Sequence, residues 1–201
     1  MSSQCYDYTR IQILSNPRSG STYAVELLMH WHKKHYQPDE SIAFYRGEPF
    51  KADLEDTYIE NRLKIEKTAF NILSKEYAVV KNHARHLDAH LSMPFLRDFN
   101  NKFSKYYTFN VVLVRRDLFA ACASLVYSNT TGEWHTYAQR DPFDVSLDKF
   151  EMSIDNLCAG IKHTFLNKHN YPYHHVVYYD DFIQDDHAAN VNMLLGRPVD
   201  Y

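Results

Sequence analysis

The chain has 201 residues, 45% of them hydrophobic and 23% charged, and a formal net charge of -3. That length suits one domain spanning 1–201, and the composition is that of a folded globular protein rather than a disordered or fibrous one. The slightly acidic balance excludes bulk electrostatic binding to nucleic acid or an anionic membrane, so any anion site must be local.

Three cysteines, Cys5, Cys122 and Cys158, are widely spaced and fit no zinc pattern. They read as free thiols of a reducing compartment. The first thirty residues lack a basic start followed by a long apolar stretch, and no run approaches the roughly twenty apolar residues of a membrane span. The expectation is a cytoplasmic protein without a membrane span.

In chain order, the apolar run "IQIL" at 11–14 predicts a buried strand. Ala24, Leu27, Leu28 and Trp31 then recur at helical steps. His30, His32 and His35 close this stretch. Their spacing does not gather all three on one face, so they read as a solvated helix end and no metal site is expected. Residues 36–57 show no period. Ile59, Leu63, Glu66, Phe70 and Leu73 predict a second amphipathic helix, and "YAVV" at 77–80 a second strand. "FNVVLV" at 109–114 predicts a third strand, followed by a helical stripe of Leu118, Ala121, Cys122 and Leu125. Residues 128–145 are again aperiodic. Leu147, Phe150, Ile154, Leu157, Ile161 and Phe165 form the longest stripe, and "HVVYY" at 175–179 the fourth strand. A last helix, roughly 186–195, stops at Gly196 with Pro198 beyond.

The strand runs are continuous rather than alternating, as strands covered on both faces require. Strands alternating with helices predict an α/β layered fold with a mainly parallel central sheet flanked by helices. The two aperiodic segments are candidate substrate loops. After the four strands come "SNPRSGST", "KNH", "RRD" and "DD". Ligands of open parallel sheets bind beyond the carboxyl ends of the strands, so these groups converge on the functional edge.

The first of these loops is the most informative. A strand–loop–helix junction presents unpaired backbone N–H groups at the positive end of a helix. Gly20 allows close backbone approach, Ser21 and Thr22 add hydroxyl donors, and Arg18 adds a permanent charge with a fixed donor fork. Together they suit a phosphate or sulfate group. The G-x-x-x-x-G-K-[ST] loop of nucleotide triphosphatases is absent, which disfavours a magnesium-dependent kinase or ATPase.

"NPRSGST" resembles the 5′-phosphosulfate loop of sulfotransferases that use 3′-phosphoadenosine 5′-phosphosulfate (PAPS), in particular the arginine-bearing branch acting on carbohydrates and tyrosine residues. The family's second element is a strand, an arginine, and a serine eight residues later. "VVLVRRDLFAACASL" supplies Arg116 and Ser124 at that spacing, with Arg115 competing for the arginine role. "HHVVYYDDFIQD" and "LLGRP" are similar to the family's closing strand, acidic turn and helix, and "RGEPF" at 46–50 to a segment carrying a catalytic glutamate. The resemblance spans about residues 11–198. It implies a P-loop-NTPase-like fold and PAPS as donor, with Arg18, Ser19, Gly20, Ser21 and Thr22 on the 5′-phosphosulfate and Arg116 and Ser124 on the 3′-phosphate. The basic, glycine-containing segment that cytosolic members place over the 3′-phosphate and adenine is not recognisable, so adenine binding is left open. Tyr23 stands where cytosolic members carry an adenine-stacking aromatic, a position equally suited to a core tyrosine.

Sulfuryl transfer requires positioning, stabilisation of spreading charge and a base for the acceptor's proton. Arg18 and the loop amides would stabilise the leaving oxygen, with no metal needed. Two bases compete. Glu48 in "GEPF" follows the resemblance to the arginine branch and ranks slightly ahead. His83 in "VVKNH" follows the cytosolic branch, and its imidazole, with an ordinary pKa of about 6.5, needs less tuning than a carboxylate at about 4.3. Lys81 shares a face with His83 if the strand persists, and would stabilise the sulfuryl group. Glu26 is expected to face solvent. The aromatic segment 134–143 is a candidate acceptor surface, the acceptor being a small molecule, glycan or peptide. The alternatives are a small kinase with an aberrant loop and a non-catalytic nucleotide-binding relative.

Overall fold

The computed structural model describes residues 10–35, 40–47, 49, 55–83, 109–133, 144–166, 173–182 and 184–196. Five strands, β1 (Arg10–Ser15), β2 (Ile42–Tyr45), β3 (Tyr77–His83), β4 (Phe109–Val114) and β5 (His175–Tyr178), form one sheet in the order β2-β3-β1-β4-β5. Every pairing is parallel. The helices are α1 (Ser21–His35), α2 (Tyr58–Leu73), α3 (Leu118–Thr131), α4 (Leu147–Leu166) and α5 (His187–Leu195). This is the layered α/β architecture that the strand–helix alternation predicts. Among the described residues, no helix is long and apolar enough to cross a membrane.

Side-chain alternation along the strands divides the core in two. Ile11, Ile13, Val79, Val111, Leu113 and Val177 meet α1 and α5 on one face. Leu14, Ala78, Val80, Val112 and Val114 meet α2, with Ile161 and Phe165 of α4 beside them, on the other. Both faces are covered, which is why these strands are apolar throughout. A third cluster, Ala121, Cys122, Val126 and Leu157, joins α3 to α4. The connection leaving β1 runs toward β2, and the one leaving the adjacent β4 runs toward β5. Strand order therefore reverses between β1 and β4, and a crevice opens there beyond their carboxyl ends.

Four expectations are corrected. The segment 36–57 contains β2, a four-residue edge strand whose residues are only half-buried, too short to show a period. The segment 128–145 begins inside α3, which runs to Thr131 and ends on Gly132 at φ 77. On α2 the buried stripe is Asn61, Ile65, Ala69 and Ile72, whereas Ile59, Leu63 and Phe70 are exposed. Two apolar stripes compete on this helix, and the one bearing the small Ala69 can sit closest to the sheet. Of the expected stripe, Leu73 does pack against the core. Finally, His32 is buried, 4.7 Å from the Tyr77 ring and 5.7 Å from Phe44, so it is no solvated helix end. Burial lowers its pKa. His30 is exposed, as expected.

Candidate functional site

The β1–α1 loop is a tight turn. Ser19 N–H and Ser19 Oγ both donate to the Asn16 carbonyl, at 3.3 and 2.7 Å. Pro17 occupies the second position and Arg18 the third with φ 63, the type II pattern that glycine ordinarily supplies. Arg18 holds a left-handed conformation costing an L-residue about 1–2 kcal/mol. Gly20 follows at φ 80, and a Cβ there would overlap the ring of Tyr179. Ala24 N–H donates to the Gly20 carbonyl at 3.0 Å, so the helix starts at once and the N–H groups of its first turn have no acceptor within it.

The strained turn directs Arg18 across the crevice. Its Nε donates to Ser124 Oγ on α3 at 2.7 Å. The loop arginine and the helix serine, 106 residues apart, thus share one contact at the point where strand order reverses. From the opposite side, Lys81 Nζ donates to Thr22 Oγ1 at 2.9 Å, and Lys81 is only 6% exposed. Strand β3 persists through His83, so Lys81 and His83 share the sheet face that packs α1. His83 is buried and lies beside Ser15 in the β1–β3 register. Arg18 and Lys81 therefore flank the amino end of α1, with His83 two residues beyond Lys81 on the same strand.

Several buried polar atoms at these strand ends have no hydrogen-bond partner among the described residues: Ser15 Oγ, Asn16 Nδ2 and both side-chain atoms of Asn82, a residue 1% exposed. Gly160 of α4 lets that helix lie against Asn16, since a Cβ there would overlap Asn16 Oδ1. The site is thus closely packed against α4 and retains buried polar atoms without partners among the described residues, a pattern suited to a polar ligand or bound water.

Arg116 stands apart from this group. Its guanidinium grips Asp181 with both Nη atoms, one at 2.9 Å from Oδ2, and its N–H donates to Asp180 Oδ2 at 2.5 Å. Asp181 raises its pKa. Arg116 also lies 4.0 Å over the Tyr178 ring and is 53% exposed in its side chain. Arg115 points to the other sheet face, 5.5 Å over Tyr179 and 4.0 Å from Asp180. Ser124 is therefore joined to Arg18, while Arg116 is held by the acidic turn after β5.

Of the remaining candidates, Ser21 is buried at the first position of α1, and Ser19 directs both donors into its own turn. Tyr23 is half-buried, 6.5 Å from Tyr179 and 5.9 Å from Phe182, and packs against the core. Glu26 is half-buried and pairs with Arg46 at 3.5 Å rather than facing only solvent, which ties the segment after β2 to α1. Glu48 and the segment 134–143 lie outside the described residues. Asn16 and Asn82 lie within segments expected at the functional edge but carry no assigned role there, and the close approach of Tyr179 to Gly20 has no signal in the sequence. The signal for Asn82 is its place in the polar run 81–83 directly after the apolar run 77–80. Among the described residues no three His, Cys, Asp or Glu side chains converge as a metal site would require.

A scan against protein-family models gives no match, and a search of curated proteins gives none.

Proposed function

We propose that the chain is a PAPS-dependent sulfotransferase acting on a hydroxyl or amine acceptor. The observation that carries this reading is the 2.7 Å contact between Arg18 and Ser124, which joins the two sequence elements that the resemblance assigns to one donor. Supporting it are the Lys81–Thr22 contact, the positive φ angles at Arg18 and Gly20, and the unpartnered polar atoms at the ends of β1 and β3. Arg18, Lys81 and the first-turn amides of α1 fit one anionic end of such a donor, and a second, separate end would fall to Arg116. Arg116 fits only after exchanging Asp181 for a phosphate.

PAPS would supply an electrophilic sulfuryl group on a phosphate leaving group. The chain's part is positional and electrostatic. Arg18 and the first-turn amides of α1 hold the 5′ end and stabilise charge on the leaving oxygen. Lys81, desolvated by burial, holds the transferring group's oxygens. Glu48 or, close behind it, His83 takes the acceptor's proton. We also place the protein in the cytoplasm, a reading supported by free thiols at Cys122 and Cys158.

A second reading, a nucleotide-binding relative without turnover, is favoured by the bidentate Arg116–Asp181 pair filling a proposed phosphate site. The two are separated by incubating the protein with PAPS and a panel of glycan, phenol and amine acceptors. The test reads sulfated product by mass spectrometry for wild type, His83→Asn and Glu48→Gln. Transfer that one of the variants abolishes supports the enzyme and names its base. Bisphosphate binding with no transfer to any acceptor supports the second reading.

A further inference from the structure

Asn82 and Asn16 stand on the face of the sheet turned away from Lys81 and His83. Along β3, Ala78 and Val80 pack on the α2 side, so alternation places Asn82 there too, where it pairs in register with Leu14. Asn16, two residues after Leu14, lies on the same side against Gly160 of α4. The two carboxamides are therefore diagonal neighbours at the carboxyl ends of adjacent strands, with Cα atoms roughly 8 Å apart from strand spacing and rise. Asn82 is 1% exposed and Asn16 6%. Both side-chain atoms of Asn82 and the Nδ2 of Asn16 have no hydrogen-bond partner among the described residues, so neither carboxamide bonds to the other.

The open groups define what fits between them. Asn16 Nδ2 and Asn82 Nδ2 donate, and Asn82 Oδ1 accepts. Exchanging the amide oxygen and nitrogen of Asn82 leaves the same set, since both of its atoms are open. A ligand must accept from two N–H groups and donate to one carbonyl. A metal ion cannot accept, and a fully ionised phosphate or sulfate has nothing to donate. Water does both, and three polar partners are the usual number for a buried one. Two hydrogen bonds through a single water span roughly 5–6 Å, enough to join these side chains when they lean together. The near-complete burial of both residues favours the smallest molecule of this kind.

We propose that Asn82 and Asn16 hold a resident internal water that bridges the end of β3 to the β1–α1 loop. Asn82 lies between Lys81 and His83, and the Asn16 carbonyl accepts both donors of Ser19 in the turn that carries Arg18. The water thus ties the loop bearing Arg18 to the strand bearing Lys81, from the opposite face of the sheet. It is held whatever ligand the crevice takes, so the inference stands apart from the sulfotransferase reading.

Water NOE and ROE spectra of the isotope-labelled full chain test the proposal. The side-chain amide protons of Asn82 and Asn16 should both show water cross peaks of opposite sign in the two spectra, the mark of a water that outlasts molecular tumbling rather than of proton exchange. Asn82→Leu keeps a branched side chain and removes one side of the bridge. It should erase the water contact at Asn16 and lower the melting temperature by roughly 3–8 °C, because Asn16 is left buried without its partner. A carboxamide buried dry predicts the opposite sign, since leucine would then relieve an unpaired polar group. Absence of the water cross peaks in the wild type, or a higher melting temperature in Asn82→Leu, overturns the proposal. So do contacts from either carboxamide to a chain hydroxyl or carboxylate in place of water. The wild-type spectrum decides even if the variant fails to fold.

Discussion

Arg18 in the β1–α1 loop and Ser124 on α3 meet at 2.7 Å across the crevice where strand order reverses. The contact exists because Arg18 adopts a left-handed backbone that sends its side chain toward α3 instead of along the loop. Neither residue would be positioned by its local sequence alone. Removing the guanidinium leaves the turn intact and deletes a charge-assisted donor. Arg18→Ala should therefore weaken binding of 3′,5′-adenosine bisphosphate about 30-fold, corresponding to about 2 kcal/mol, and Ser124→Ala about 5-fold. The double variant should lose less than the product of the two, because the residues act as one unit. Calorimetric titration of the four proteins measures this.

The pair formed by Arg116 and Asp181 makes an opposite prediction for the two partners. Arg116→Ala should weaken bisphosphate binding. Asp181→Asn, which removes a competing carboxylate, should strengthen it by a few-fold. Melting temperatures should hardly move, since both side chains are exposed and such ion pairs contribute little to stability. Equal weakening by both substitutions would mean that the pair is a structural clasp between the β4 and β5 turns.

Gly20 is required twice, by its φ of 80 and by the Tyr179 ring where a Cβ would lie. Gly20→Ala should destabilise the fold by about 2–4 kcal/mol, combining left-handed strain with overpacking. Adding Tyr179→Ala should recover the overpacking part only. Thermal melts of the single and double variants separate the two contributions.

Gly160 inverts an ordinary rule. In a helix interior, alanine is more stable than glycine by about 1 kcal/mol. Here a Cβ would overlap Asn16 Oδ1, so Gly160→Ala should destabilise. In an Asn16→Ala background the same change should become neutral or stabilising. Chemical denaturation of the cycle reads the sign.

Acid sensitivity follows from the buried His32 and the half-buried His175. Burial lowers the pKa of His32, and likewise of His175, where hydrogen bonds to the Met193 and Leu194 carbonyls oppose the shift. A folded value below the unfolded one means that folding favours neutral imidazole. This contribution is present above the unfolded pKa of about 6.5 and is lost as pH falls from there through the lowered folded values. His32→Phe, which keeps an aromatic beside Phe44 and Tyr77, should flatten the decline of melting temperature below about pH 6.5. An unchanged slope would locate the acid sensitivity elsewhere.

The sheet was legible in sequence because its central strands are buried on both faces and are written as unbroken apolar runs. The edge strand β2 was not, because half-buried residues over four positions carry no distinctive pattern. Helix α2 shows a different failure. Its period was visible, but two apolar stripes share it, and only the sheet's demand for a small residue at Ala69 decides which one turns inward. A capping box at Thr57 and Glu60 marks where that helix starts, a signal present in the sequence. In the site, the loop "NPRSGST" announced its own chemistry. The partner of Arg18 could be guessed only by motif, and the capture of Arg116 by Asp181 is tertiary information that no spacing encodes.

The central claim is that the Arg18–Ser124 crevice binds a doubly phosphorylated adenosine. Calorimetry of the wild type with 3′,5′-adenosine bisphosphate, AMP and magnesium–ATP tests it most directly, with Arg18→Ala as control. The bisphosphate should bind most tightly, and Arg18→Ala should weaken it. Tighter binding of magnesium–ATP, or bisphosphate affinity indifferent to the loss of Arg18, would contradict it.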